Sequence, residues 1–382
     1  MVVGTKPRLS RECEFLLAAV RRHFHPEDPP LDPSDVDWHK LMRLSVRHAV
    51  TPMLYRALRS LPIPKPAADN FRSAFERNTQ WNLMLSAELC ALAELFQQHD
   101  IAFVPLKGPS LSQQLYGDLS MRASSDLDWL VHRRDLLRVR DLMISRGYRV
   151  ASPIHWPCDS AFLRDRESEV SLADESRSLN VDLHWRIMPG YFASAFDNLD
   201  VWDSLVPIEF SGRTIPGLCP EHLILLLCVH GAKHAFERIG WICDIASCLV
   251  AFPNLRWPDV FAASARAGTM RELLLGLRIA DDLLGVSMPA SMPKDPAQDP
   301  AVDKLVASVR KRVTEAAPPI SESELIPFCL RLFESPRNRA RYLLGHLAPS
   351  RAEYDVLPLP PSLYFLYYFF RPLRLLSRYL IR

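Results

Sequence analysis

Ser125-Asp126-Leu127-Asp128-Trp129-Leu130-Val131 places two carboxylates on an apolar run that reads as a β-strand. Leu106-Lys107-Gly108 precedes it, and Val181-Asp182-Leu183-His184-Trp185 follows as a second acidic, apolar run. On a strand, residues i and i+2 project to the same face, so Asp126 and Asp128 point together at a separation of roughly 6–7 Å. If the Asp182 strand lies alongside, about 4.8 Å away, a third carboxylate reaches the same spot. Such a set suits Mg²⁺ or Mn²⁺, as one ion or as two roughly 3.5–4 Å apart. Lys107 and Arg122 add positive charge. The backbone N–H groups around Gly108 and Ser110 begin a helix, and a helix N-terminus attracts phosphate. These parts point to metal-dependent phosphoryl or nucleotidyl transfer, in which the protein positions phosphates, neutralises charge and activates an acceptor hydroxyl. Asp126 and Asp128 would bridge the metal to a nucleoside triphosphate; Asp182 would complete the metal site as ligand or base.

The elements that must carry these residues follow from periodicity and turn signals. Residues from about 10 to 98 read as helices, with Trp38 to Leu61 as one run split at Pro52 and capped by Thr51, and a long helix from Ala67 to His99. Ile101 to Leu106 reads as a strand, Pro109 opens a short helix, and Asp126 to Val131 is the next strand. Arg133 to Arg146 is a helix closed by Gly147, Tyr148 starts a further strand, and Arg164 to Ser178 is a hairpin or exposed loop before the Asp182 strand. This alternation describes a small α/β domain ending near Gly217. Helices resume with Glu221 to Phe252, Trp257 to Ala267, Met270 to Gly285, Asp303 to Glu315 and Glu324 to Leu347. The division expected is an N-terminal helical segment over 1–98, a core over 99–215, a C-terminal helical domain over 216–350 and an aromatic, basic tail over 351–382.

Composition sets the outer bounds. A formal charge of +2 gives no support to a nucleic-acid binder, and no basic run with interleaved aromatics lines the expected core. The 32 prolines, about 8% against a usual ~5%, cluster as punctuation between helices, and the 13 glycines are few. Eight scattered cysteines without a C-x-x-C pair read as buried free thiols in a reducing compartment. The first apolar run, Phe15 to Val20, follows Glu12 and Glu14, which is wrong for a secretory signal; residence in the cytoplasm is the expectation. Leu363 to Phe370 is too short to span a bilayer.

These residues together resemble the nucleotidyltransferase superfamily typified by DNA polymerase β, and within it a family of uncharacterised bacterial nucleotidyltransferase-like proteins. The broad pattern is a strand, a Gly-containing turn and helix, an acidic-apolar-acidic strand and a single acid on a later strand; here these are Gly108, Asp126-Leu127-Asp128 and Asp182. The narrower pattern is matched by Leu106-Lys107-Gly108, Tyr116-Gly117, Arg122, Asp182-Leu183-His184-Trp185, and His230-Gly231-x-Lys233-His234 with Trp241 and Asp244. The resemblance covers roughly residues 36 to 290. It implies an α+β fold: a small core with a mixed sheet, flanked by N-terminal helices and a C-terminal helical domain. The activity it implies is transfer of a nucleoside monophosphate from a triphosphate to a hydroxyl of a sugar, another metabolite or a protein, releasing pyrophosphate. Pro109 stands where the superfamily has Gly or Ser, and it has no N–H to offer a phosphate.

Other readings of the same residues stay open. Arg122 could hold Asp126 or Asp128 rather than a ligand. His184 shares the face of Asp182 and could sit beside the site or in the core. Lys233 and His234 face the cleft as contacts to phosphate or base, whereas Trp241 and Asp244 read as structural. Zinc at His230 and His234 is disfavoured, since Gly231 stands where a metalloprotease has Glu. Two alternatives to the transferase are a catalytically silent nucleotide-binding module and, less favoured, a metal-dependent glycosyltransferase, whose apolar strand precedes its Asp-x-Asp instead of following it. In the tail, Arg371, Arg374, Arg378 and Arg382 interleave with Leu373, Leu376 and Leu380, a pattern for weak membrane-surface or protein contact.

Overall fold

The computed structural model describes residues 9–150, 168–193, 199–289, 299–314, 318–349, 353 and 356–380. The N-terminal helices are α1 (Arg11–Phe24), α2 (Trp38–Arg47), α3 (Thr51–Leu58) and α4 (Lys65–Gln98). Ser10 and Asp37 cap α1 and α2 by accepting from the backbone N–H groups of Cys13 and Lys40. The expected split near Pro52 is present, but Thr51 does not cap it. Ala49 takes a left-handed conformation, with φ of 57°. Val50 holds the cap position, Thr51 is already helical, and its hydroxyl lies 3.0 Å from Ser45 Oγ.

Five strands form a mixed sheet: β1 (Phe103–Pro105), β2 (Leu127–Val131), β3 (Arg149–Val150), β4 (Glu169–Asp174) and β5 (Leu179–His184). Their order is β1-β2-β5-β4-β3; β2 and β5 are parallel, and the other pairs are antiparallel. Between them run α5 (Pro109–Tyr116) and α6 (Leu136–Ser145). A hairpin, β6 (Val206–Phe210) and β7 (Arg213–Gly217), closes the core region, after the single turn α7 (Gly190–Ala193). Its loop residues Ser211 and Gly212 both have positive φ, as a tight hairpin turn requires.

Side-chain alternation aims the site. Leu127, Trp129 and Val131 of β2, with Val181 and Leu183 of β5, pack onto Leu85, Leu89, Leu92 and Phe96 of α4. The Trp129 ring meets Phe96 and Phe103 edge-on, each at 5.3 Å between centroids. The residues between them, Asp128 and Leu130 on β2 and Asp182 and His184 on β5, must then face the other side of the sheet. Leu130 there joins the larger apolar cluster built from the N- and C-terminal helices. The apolar clusters therefore do not follow chain order: Phe71 near the start of α4 belongs to the helical cluster, and the second half of α4 belongs to the sheet.

The C-terminal helices are α8 (Pro220–Lys233), α9 (Ile239–Ala251), α10 (Trp257–Ala267), α11 (Met270–Leu284), α12 (Pro300–Thr314), α13 (Glu322–Leu332), α14 (Pro336–Leu347) and α15 (Tyr367–Leu380). The continuous helix expected over Glu221–Phe252 is two helices. Ala235 and Phe236 have φ of 49° and 47°, and Phe236 N donates to Gly231 O at 2.8 Å. The Phe236 ring folds back so closely that a Cβ on Gly231 would sit 2.1 Å from it. The helix expected over Glu324–Leu347 is also two, parted where Ser335 caps α14 and Pro336 fills its first turn. No helix among the described residues is long and apolar enough to cross a membrane. Their seven cysteines carry no disulfide; Cys158 and Arg382 lie outside them.

Candidate active site

The Lys-Gly turn is tied to the acidic strand by its backbone. Leu106 N donates to Asp128 O at 2.9 Å, which extends the β1–β2 pairing to the start of the turn. Gly108 then takes φ 74° and ψ −145°, and a Cβ there would lie 3.2 Å from Asp126 O. Only glycine adopts that conformation without strain so close to a backbone. Ser110 is fully buried and its hydroxyl donates to Lys107 O at 3.0 Å, so the side chain locks the turn.

Asp128 is the hub. Its Oδ1 lies 3.3 Å from Lys107 Nζ and 3.0 Å from His184 Nε2, with the carboxylate buried. Burial alone would favour the neutral acid, but Lys107, His184 and His230 outweigh it and hold Asp128 well below the usual carboxylate range. His184 Nδ1 lies 3.2 Å from Glu169 Oε2, close enough to feel its charge though misaligned for a hydrogen bond. Sequence reasoning does not single out Glu169; it faces His184 across the β4–β5 register.

Asp126 and Asp182 stand differently. Asp126 precedes β2, and Asp182 is paired in register with Asp128 on the parallel neighbour. Burial and the negative charge of Asp128 raise the pKa of Asp126, with Lys107 opposing and Asp182 adding to the rise. Asp182 is raised by burial, then by Asp128 and Glu169, against a hydrogen bond with Ser171. The three carboxylates thus sense one another, and among the described residues Lys107 makes its ion pair with Asp128.

Arg122 has a partner other than the two expected. Its Nε donates to Asp244 Oδ2 at 3.0 Å and Oδ1 at 3.2 Å, and Tyr116 Oη donates to Asp244 Oδ1 at 2.9 Å. Arg122 therefore holds α9 rather than Asp126 or Asp128. Its carbonyl is anchored by Asn82 Nδ2 at 2.8 Å, and its Nη1 reaches Ser124 Oγ at 3.4 Å.

Lys233 ends α8 and His234 caps it, so the two leave the helix beside the sheet. Burial lowers the pKa of Lys233, with Lys107 adding to the fall and Glu169 and Asp128 opposing it. Burial and the cations Lys233, Lys107 and Arg238 lower His234 to about 3, and burial with Lys107 lowers His230. Trp241 collects these rings at 5.1 Å from His234 and 5.4 Å from His230, under the Arg238 guanidinium at 5.3 Å.

A cavity of about 200 Å³ opens between core and helices. Lys107, Arg122, Asp126 and Asp128 line one side, and His230, Arg238, Trp241 and Asp244 the other, with Val50 and Met53 of the N-terminal helices. Gly108, Ser110, Asp182, His184, Lys233 and His234 are not on its wall. The acids fit a hard divalent cation by chemistry, being all-oxygen donors of which two have raised pKa values that a cation would relieve. They are not drawn into a ligand shell: among the described residues, no group of three His, Cys, Asp or Glu side chains is placed to hold an ion.

A mixed sheet with paired acids on adjacent parallel strands, behind a Lys-Gly turn that starts a helix, defines an α+β core of the nucleotidyltransferase type. The chain belongs to the uncharacterised nucleotidyltransferase family, whose model matches residues 34–285. Among solved structures it is similar to an antigenic nucleotidyltransferase-like protein from Paracoccidioides brasiliensis, at 14% identity over 54% of this chain and 94% of that one, with a TM-score of 0.33. No curated protein matches it.

Proposed function

We propose that the chain is an enzyme that moves a nucleoside monophosphate from a nucleoside triphosphate to a hydroxyl of a small molecule or protein. The observation that carries this reading is the trio Asp126, Asp128 and Asp182, two of them held above the usual carboxylate value by burial and by Asp128, beside the cationic turn at Lys107. Asp126, Asp128 and Asp182 would hold Mg²⁺ or Mn²⁺, which when bound would neutralise the phosphates. The acceptor oxygen bonds to the α-phosphorus as the bond from that phosphorus to the bridging oxygen breaks, and pyrophosphate leaves. The acceptor proton passes to Asp182, whose raised pKa suits a general base. Lys107 turns from Asp128 toward the phosphate chain. Trp241 and Met53 offer an aromatic and apolar wall to the nucleoside, with the Arg238 guanidinium beside it. The cavity is smaller than the ~300–1,000 Å³ of typical ligand pockets, so triphosphate binding requires the α8–α9 wall to yield or the phosphate tail to extend beyond it.

One observation favours a second reading. Asp128 already has Lys107 as a counter-charge and His184 Nε2 at hydrogen-bond distance, as a binding module without turnover would have. The two separate on Asp182→Asn. With triphosphates labelled at the α-phosphate and a panel of hydroxyl acceptors, an enzyme releases pyrophosphate and loses about 10²–10⁴-fold of that rate in the variant, while nucleotide still binds. Nucleotide binding by the wild type, with neither label transfer nor pyrophosphate release on any acceptor, would favour the silent module.

A further inference from the structure

The end of the molecule built from α14 and α15 is charged and layered unlike the rest. From Pro336 to Arg382 the chain holds eight arginines and no lysine against two acids, while the net charge of the whole chain is only +2. Everything before Pro336 is therefore net acidic. Between Val356 and Arg382 there is no acid at all, and six of the seven residues from Tyr364 to Phe370 are aromatic.

An ordinary surface helix turns its apolar stripe inward; over residues 367–374, α15 does the reverse. Its buried side is Tyr367 and Arg371. Tyr367 Oη donates to Leu357 O at 2.7 Å. Arg371 Nη1 and Arg374 Nε donate to the fully buried Glu353 at 3.0 and 2.6 Å, and Arg371 Nε donates to His346 O, fastening α15 to the end of α14. Outward stand Phe365, Tyr368, Phe369 and Leu373, the last two 70% and 65% exposed. Leu344 and Leu347 of α14 are exposed as well. The sequence repeats the Phe369–Leu373 spacing with Leu376 and Leu380. Exposed apolar groups of this extent mark a contact surface.

We propose that this end docks on an anionic lipid surface, with Phe365, Tyr368, Phe369 and Leu373 entering the boundary between headgroups and acyl chains and the local excess of arginine meeting acidic headgroups. Charge chooses the occupant. A second copy meeting the same face would bring two arginine-rich, acid-poor surfaces together, whereas an anionic bilayer complements both the charge and the aromatic, aliphatic face. With 14 residues α15 is about 21 Å long, short of the ~30 Å hydrocarbon core, so it lies in the interface and does not cross.

The test is co-sedimentation of the full chain with phosphatidylcholine vesicles and with phosphatidylcholine–phosphatidylglycerol vesicles, at low and high salt. The expected result is pelleting with the anionic vesicles only, relieved by salt, and weakened at least about tenfold in Phe369→Ser/Leu373→Ser. Phe365→Ser/Tyr368→Ser, on the turn before the helix and in its first turn, gives the same loss should the first variant unfold. Wild-type protein left in the supernatant by both vesicles, or undiminished binding by two folded variants, would overturn the proposal. So would light scattering that shows a vesicle-independent dimer converted to monomer by the same substitutions.

Discussion

Asp128 and Asp182 stand opposite each other on adjacent parallel strands, and of the two it is Asp128 that Lys107 faces, at 3.3 Å. The sheet register makes this pairing obligatory, because shifting β5 by one residue would turn Val181 and Leu183 out of the core that packs on α4. Folding energy from the apolar face thus holds together carboxylates that repel one another. The consequences can be measured.

Asp126 and Asp182 have raised folded-state pKa values, so their contribution to stability is fully present below the unfolded pKa and lost as pH rises through the folded one. At neutral pH they destabilise the fold. Asp126→Asn and Asp182→Asn are expected to raise stability by roughly 0.5–2 kcal/mol while abolishing transfer; in the second variant the amide oxygen can still accept from Ser171. Thermal melts at neutral pH, with unchanged or lower Tm in both variants, would refute this.

Asp128→Asn has the opposite sign. It removes the charge that faces Lys107 in a buried setting, 3.0 Å from His184 Nε2, and breaking such a buried pair costs about 3–5 kcal/mol. Urea unfolding is expected to show the fall in this variant only among the three acids. A loss below about 1 kcal/mol would mean that Lys107 reaches solvent freely.

Cation binding should follow the two raised carboxyls. Protonation of Asp126 and Asp182 removes donor charge, so Mg²⁺-dependent triphosphate affinity is expected to fall with decreasing pH, starting above the ordinary carboxylate range. An affinity that stays flat down to that range would remove these acids from the metal site.

Glu272 gives a pH signature unconnected with chemistry. Fully buried in α11, with neither oxygen in a well-aligned hydrogen bond among the described residues, it is pushed up to about 8 by burial, opposed by its own backbone N–H and Arg271, with Glu334 adding to the rise. Its stabilising protonation is complete below the unfolded value and is lost as pH rises through about 8. Glu272→Gln is expected to flatten the decline of Tm over that interval; parallel wild-type and variant curves would contradict it.

The acids are legible in the sequence because period two and an apolar partner face are local properties of the chain. The alternation at Asp126-Leu127-Asp128 and Val181-Asp182-Leu183 specifies which side chains share a face. That the two strands are neighbours enters from sequence only as a condition, which the register of Asp128 with Asp182 meets; their parallel direction comes from the fold. What the sequence hides is non-local. Asp244 lies 122 positions from Arg122, so no spacing rule could link them. The break after Lys233 depends on the Phe236 ring returning to Gly231, although the apolar pattern runs on through Ile245. Glu169 enters only through the hairpin register, which the charge-mixed run before Ser178 leaves undefined.

The most direct measurement is isothermal titration of ATP, GTP, CTP and UTP, with and without Mg²⁺, into the wild type and the Asp126→Asn variant. The expected result is Mg²⁺-dependent binding of at least one triphosphate by the wild type, weakened at least about tenfold by the loss of one charged ligand. A folded wild type that binds no triphosphate with either Mg²⁺ or Mn²⁺, or a variant that binds equally well, would contradict a nucleotide site at Asp126, Asp128 and Asp182.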